Sequence, residues 1–144
     1  MAVLGVDLRA SLKKRSSIAV LDSQSHLTEL SSFFEDNELI KVVNDINPDV
    51  VAIGAPLNLP SGFCCLDQSC ECRFLEPNRK GRLLELELAK MGISCFYTNK
   101  GSIIRELIYR GIRLSQMLCD AGHNVIEVYP CLLYTSDAAD ERSS

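Results

Sequence analysis

The run Val50-Val51-Ala52-Ile53 constrains the fold more than any other feature of this chain. It is continuous, mostly β-branched and only four residues long. Such runs suit a strand buried on both faces of a sheet that helices cover. The residues before it recur at helical spacing, with Leu39, Val43 and Ile46 on one stripe and Ile40 and Val42 beside them. Glu35 and Asp36 are acids where a helix start favours them, and Asn47-Pro48 supplies a stop. Helix then buried strand is the grammar of an α/β layer structure.

The first thirty residues differ in pattern. Val3-Leu4-Gly5-Val6-Asp7 and Ser17-Ile18-Ala19-Val20-Leu21 are joined by the polar, basic stretch Leu8 to Ser16 and predict a hairpin. His26 to Leu30 alternates as a third strand. Beyond a loop reaching about Asn78, a helix is expected from Lys80 to Met91, with Leu84, Leu88 and Met91 on its apolar stripe and Gly92 as its stop. Ile93 to Tyr97 predicts a short strand. A helix from about Ser102 to Ala121 would bury Ile103, Leu107, Leu114 and Leu118, with Arg105 and Arg113 pointing away. Asn124 to Tyr129 predicts a last strand. Three strands followed by alternating helices and strands imply a mixed sheet with helices on both faces.

With 144 residues the chain can build one domain with a real core. The net charge of −4 excludes tight nucleic-acid binding through bulk charge, so any such binding needs a local basic patch. No apolar stretch approaches the roughly 20 residues of a membrane span. The N-terminus has Asp7 where a secretory apolar region would continue, so a cytoplasmic address and no membrane partner are expected. In that compartment seven cysteines point to thiols or metal ligands before disulfides.

The segment Cys131 to Glu141 loses all periodicity. It resembles a transposon-based sequencing adapter read in frame. The expectation is a domain over residues 1–130 and a non-native tail over 131–144, so Cys131, Asp137 and Asp140 are given no role. A genuine polar tail is the alternative.

Two acids stand in apolar strands. Asp7 ends the first, where it either caps the turn with its side chain or does chemistry. Glu127 stands in the last, where it either faces out from an edge or meets Asp7 at one end of the sheet. Two converging carboxylates cannot both ionise cheaply, and a divalent cation resolves the conflict. Metal-assisted phosphoryl chemistry uses such pairs.

Several segments, in order, resemble one family. They are Gly5-Val6-Asp7, Val51 to Leu57, Arg82 to Glu85 followed by Gly92-Ile93, Tyr109 to Leu114, and Val125 to Pro130. Together they resemble domain-of-unknown-function family 429, described as predicted nucleases of the ribonuclease H-like fold. The resemblance spans nearly all of residues 1–130. It implies a ribonuclease H-like mixed sheet with flanking helices, and a metal-dependent hydrolase of phosphodiester bonds. Asp7 and Glu127 would hold Mg²⁺ or Mn²⁺, Glu85 would be a third catalytic acid, and Arg82 would orient Glu85 or a phosphate. Apart from the resemblance, the basic residues around the third helix suggest that Lys100 or Arg110 reaches substrate phosphates near the carboxylates; their alternative is a solvated helix face.

This chain has Gly54 where many relatives have Asp, which removes one candidate ligand. Such folds usually end in a further helix bearing an acid, which is missing before the adapter-like tail, so this fragment is expected to lack an acid its parent has. The stretch Gly54 to Pro60 is also similar, over a short length, to Holliday-junction resolvase-like members of the fold. One rival is a noncatalytic nucleic-acid or protein-binding module of the same fold. Another is a nucleotide-binding phosphotransferase of the related actin-like architecture, which would need a second domain and glycine-rich phosphate loops. The oligomeric state is not encoded in any of these features.

Cys64, Cys65, Cys70 and Cys72 crowd the long loop. Four thiolates could hold a structural Zn²⁺. The spacing is not that of paired C-x-x-C knuckles, and neighbours in sequence ligate one ion poorly, so free thiols are the competing expectation. Cys95 and Cys119 are expected to be small buried hydrophobes.

Overall fold

The computed structural model describes residues 1–129; the expected tail, 131–144, lies outside them. The described residues form an α/β domain around one five-stranded mixed sheet with three helices. The strands are β1 (Val3–Asp7), β2 (Ser16–Leu21), β3 (Leu27–Phe33), β4 (Val50–Ile53) and β5 (Val125–Glu127). The helices are α1 (Asp36–Ile46), α2 (Leu83–Lys90) and α3 (Arg105–Asp120). The strand order is β3-β2-β1-β4-β5. The first three strands form an antiparallel meander, and β4 and β5 run parallel to β1.

Register fixes which side chains share a face. Val6 pairs with both Ile18 and Ile53, and Ile53 pairs with Glu127. One level back, Leu4 pairs with Val20 and Val51. These apolar residues form a buried core with Leu39 and Val43 of α1 and Leu114 and Leu118 of α3. At roughly 1.5–3 kcal/mol per fully buried aliphatic side chain, this face supplies the main driving force of folding. The expected cover on both faces is met on one. Alternation sends Gly5, Ala19, Ala52 and Ile126 to the other face, where they are half-buried or exposed. Gly5, Ala19 and Ala52 are too small to give a helix much to grip, and the larger Ile126 is left exposed.

The helix ends follow their local chemistry. Glu38 accepts from the Phe34 and Glu35 amides and fixes the start of α1. Asn47 ends it in the left-handed region, its N–H returning to the Val43 carbonyl at 2.7 Å. Gly122, at φ +91°, closes α3, and the His123 amide donates to the Leu118 carbonyl.

Three expectations are corrected. Ile93 to Tyr97 is not a strand. The flanking Thr98 amide goes to the Glu85 carboxylate and the Ser94 carbonyl to the Tyr129 hydroxyl, so this segment is tied to side chains rather than to a ladder. In α2, Leu84 and Met91 are exposed and the buried residue is Glu85. Its carboxylate has polar partners inside the protein, and they set the rotation of the helix. In α3, Ile103 precedes the helix and is exposed, whereas Arg110 is buried.

Candidate functional site

In open α/β sheets ligands bind beyond the carboxyl ends of the parallel strands. Here that edge opens into a pocket of about 520 Å³. Asp7 from β1, Gly54 after β4 and Glu127 from β5 reach it together with Arg9, Arg82 and Glu85. Its walls are largely apolar, from Leu84, Leu88, Phe96, Ile104 and Leu107.

Arg82 is the hub. It stands at the N-cap of α2 in an extended conformation, so its side chain leaves the helix axis. Its Nε donates to Glu85 Oε2 at 2.6 Å. Its Nη1 and Nη2 donate to the two oxygens of Glu127 at 2.8 and 2.6 Å, a bidentate pair. Nη1 also donates to Asn58 Oδ1 at 2.7 Å. Four of the guanidinium's five N–H bonds are therefore used inside the protein.

The carboxylates are equally engaged. Glu85 accepts from the Arg82 and Thr98 amides and from the Thr98 hydroxyl. Glu127 Oε2 also accepts from the Leu57 amide at 3.0 Å. Burial alone would lower the Arg82 pKa; the hydrogen bonds and charges of Glu127 and Glu85 outweigh it and push it above its ordinary value. Gly81 permits this packing, because a Cβ there would come within 2.5 Å of Glu85 Oε1 and 2.9 Å of the Tyr97 ring.

Asp7 stands apart from this network. It is exposed, and among the described residues no hydrogen bond or ion pair engages its carboxylate. It does not cap the turn; Ser16 Oγ does, accepting from the Arg9 amide at 2.9 Å. Val6, not Asp7, is in register with Ile53 and Glu127, so alternation aims the two acids to opposite faces at the same sheet end. Among the described residues no three acids bring their oxygens together as metal ligands. The arrangement does not fit a cage built from Asp7, Glu85 and Glu127, because Arg82 takes the place of a cation between the glutamates.

Two expected substrate contacts are not among the residues that line this pocket. Arg110 is 2% exposed and its guanidinium is spent on partners inside the protein. It donates to Asp36, to the carbonyls of Arg9 and Phe34, and to Ser16 Oγ, tying α3 to α1 and to the first hairpin. Lys100 does not line the pocket. Its ammonium donates to the Cys70 carbonyl and lies 5.8 Å from the Phe63 ring centroid, in the cysteine loop.

That loop carries a second cluster. Cys64, Cys65, Cys70 and Cys72 bring their sulfurs within 4.8 Å of one another and could hold a metal such as zinc. All are free thiols. The neighbouring thiols push Cys64 up to about 12. The Cys64 backbone N–H draws Cys72 down to about 6 against desolvation. Cys95 is half-buried, and Cys119, expected to be buried, is exposed.

Sequence reasoning missed Asn58, Thr98 and the Leu57 amide. Leu57 and Asn58 lie on the loop that leads to Arg82 and Thr98 on the segment after α2, so only the fold brings them to one place. The helix that presents Glu85 is too short to cross a membrane, and no described helix is long and apolar enough to do so. No family model, curated protein or solved structure matches this chain.

Proposed function

We propose that this chain is a nuclease-like protein of the ribonuclease H-like fold, which engages a phosphodiester at the pocket beyond β1, β4 and β5. One observation carries the reading. The unengaged carboxylate of Asp7 shares that pocket with Arg9, and the exposed Lys13, Lys14 and Arg15 lie on the turn that leaves Asp7. This is the local basic patch that a chain of net charge −4 needs to attract a polyanion. Strand order and directions agree with the fold that the sequence resembles.

In this reading Arg9 and the basic turn hold the phosphate backbone, and Asp7 faces the scissile group. Mg²⁺ or Mn²⁺, held by Asp7 and the substrate's own oxygens, would make a bound water more acidic and steady the charge on the phosphoryl group. Arg82 orients Glu127 and Glu85 and keeps them from repelling the phosphate.

A second reading, binding without cleavage, is favoured by the way Arg82 occupies both glutamates. The test is cleavage of single-stranded, double-stranded and branched DNA and RNA with Mg²⁺ or Mn²⁺. Hydrolysis that falls at least about 100-fold in Asp7→Asn, with the fold intact, supports the nuclease. Binding that weakens in Lys13→Ala/Lys14→Ala, with no cleavage under either metal, supports the module. Neither binding nor cleavage ends both readings.

A further inference from the structure

The chain from Gly54 to Gly81 has no helix or strand, yet it lies within a compact domain. Loops of more than about 12–15 residues without secondary structure are uncommon there and need some other source of order. The order begins at a neck. Gly62 has φ +98°, and a Cβ on it would lie 2.3 Å from the Arg73 carbonyl oxygen, so only glycine lets the two limbs approach. Beside it the Leu75 amide donates to the Ser61 carbonyl at 3.3 Å, and the rings of Phe63 and Phe74 meet at 4.5 Å. All four cysteines lie on the short lobe that this neck closes.

We propose that Cys64, Cys65, Cys70 and Cys72 hold one Zn²⁺ as a tetrathiolate that fixes this lobe against α3. Zinc binds thiolate at about 2.3 Å in a tetrahedron, which sets its sulfurs about 3.8 Å apart. The sulfurs of Cys64 and Cys70 are 3.5 Å apart, those of Cys64 and Cys65 3.9 Å, and those of Cys65 and Cys72 4.0 Å. All four lie within 4.8 Å of one another, so one ion can touch them all with no sulfur pair closing by more than about 1 Å. Adjacent Cys64 and Cys65 both aim inward, which removes the objection to their spacing.

Each thiol that binds gives its proton to solvent as its Zn–S bond forms. Four thiolates and one Zn²⁺ leave two negative charges. The Lys100 ammonium, bound to the Cys70 carbonyl, stands where it offsets part of them.

The lobe is docked on the helical side of the domain. The Leu66 amide donates to the Tyr109 hydroxyl at 2.7 Å, Leu66 is fully buried, and Gln68 donates to the Lys100 carbonyl. The loop also carries Leu57 and Asn58 near its start and leads into Arg82 at its end, so an ion that orders it steadies both approaches to the Arg82 network. This inference stands on the sulfur geometry and not on the phosphodiester reading.

The test is metal binding by the full chain, purified under reducing conditions. The expected results are one zinc per chain and, on exchange, one Co²⁺ with the intense visible bands of tetrahedral thiolate coordination. Cys64→Ser and Cys72→Ser lose those bands; Cys95→Ser and Cys119→Ser keep them. Zinc protects the four loop thiols from alkylation, a readout that needs no variant to fold. Chelation raises exchange of the Leu66 amide at least tenfold. A folded chain that binds neither ion under reduction overturns the proposal. So does protection centred on Cys95 or Cys119, or a Cys64–Cys70 disulfide formed in the presence of reductant and zinc.

Discussion

Among the described residues two arginines are buried, both at the carboxyl edge of the parallel strands, and they serve different partners. Arg110 joins α3 to α1 and the hairpin, and most of its partners are neutral oxygens. Its one acid, Asp36, is shared with Arg113, so that cluster carries two cations and one anion. Arg82 lies between two carboxylates at the pocket edge, one cation with two anions. A buried ion pair is weak evidence for net stability, but removing one member strands the other. What differs is therefore what remains after a deletion. Around Arg110 the remainder is carbonyls and an acid that still has a partner. Around Arg82 it is two anions facing one another.

The largest expected effect follows directly. Arg82→Met should cost about 3–5 kcal/mol in urea denaturation, since Glu85 is almost fully buried and loses its charge partner. Adding Glu85→Gln to that variant should recover part of the loss, a coupling that a double-mutant cycle measures. If the second change only adds to the damage, the two-anion account is wrong. Arg110→Met should cost less, about 1–3 kcal/mol, the price of buried carbonyls left without a donor. A loss equal to that of Arg82→Met would erase the distinction between the two networks.

The smallest expected effect sharpens the same comparison. Gly111, on α3 next to Arg110, packs against the segment that leads to Leu57. A Cβ there would come within 2.7 Å of the Pro56 carbonyl oxygen. Alanine gains about 1 kcal/mol of helix propensity but meets backbone, which cannot swing aside. The balance should be a net loss of about 1 kcal/mol. Because Leu57 donates its amide to Glu127, the Arg82 network should feel the change through nitrogen-15 shifts at Leu57. An unshifted Leu57 resonance would show the two regions to be independent.

Much of the frame was legible because it rests on periodicity. The hairpin, the third strand, α1, β4 and α3 all follow from apolar spacing and stop signals, and their ends move by only a few residues. The misreadings share a physical cause. Leucine spacing in α2 implied a buried apolar stripe, yet the Glu85 carboxylate, held by Arg82 and Thr98, decides which face turns inward. Ile93 to Tyr97 had the composition of a strand but not a neighbour to pair with. Arg110 looked like a surface cation because one sequence cannot show that Asp36, 74 residues earlier, waits for it. Within the site, Asp7 and Glu127 stood out as charges in apolar strands, whereas Arg82 and Glu85 came only from the family resemblance. The grouping of the four was not legible, because it depends on strand register and on a loop without periodicity. The four cysteines were visible as a cluster, but only the fold of the neck reveals that adjacent thiols can point the same way.

The sheet order also has a consequence in time. The meander of β1, β2 and β3 pairs residues close in sequence and can form early. The Leu57 amide waits for a carboxylate 70 residues further on, and Arg82 for one 45 residues further on. As the chain leaves a ribosome, most of the core strands exist before Glu127 does. Until β5 docks on β4, Arg82 and Glu85 have only each other and the surrounding loop. Among the described elements the pocket is then the last to be assembled, and its closure reports that β5 has joined the sheet.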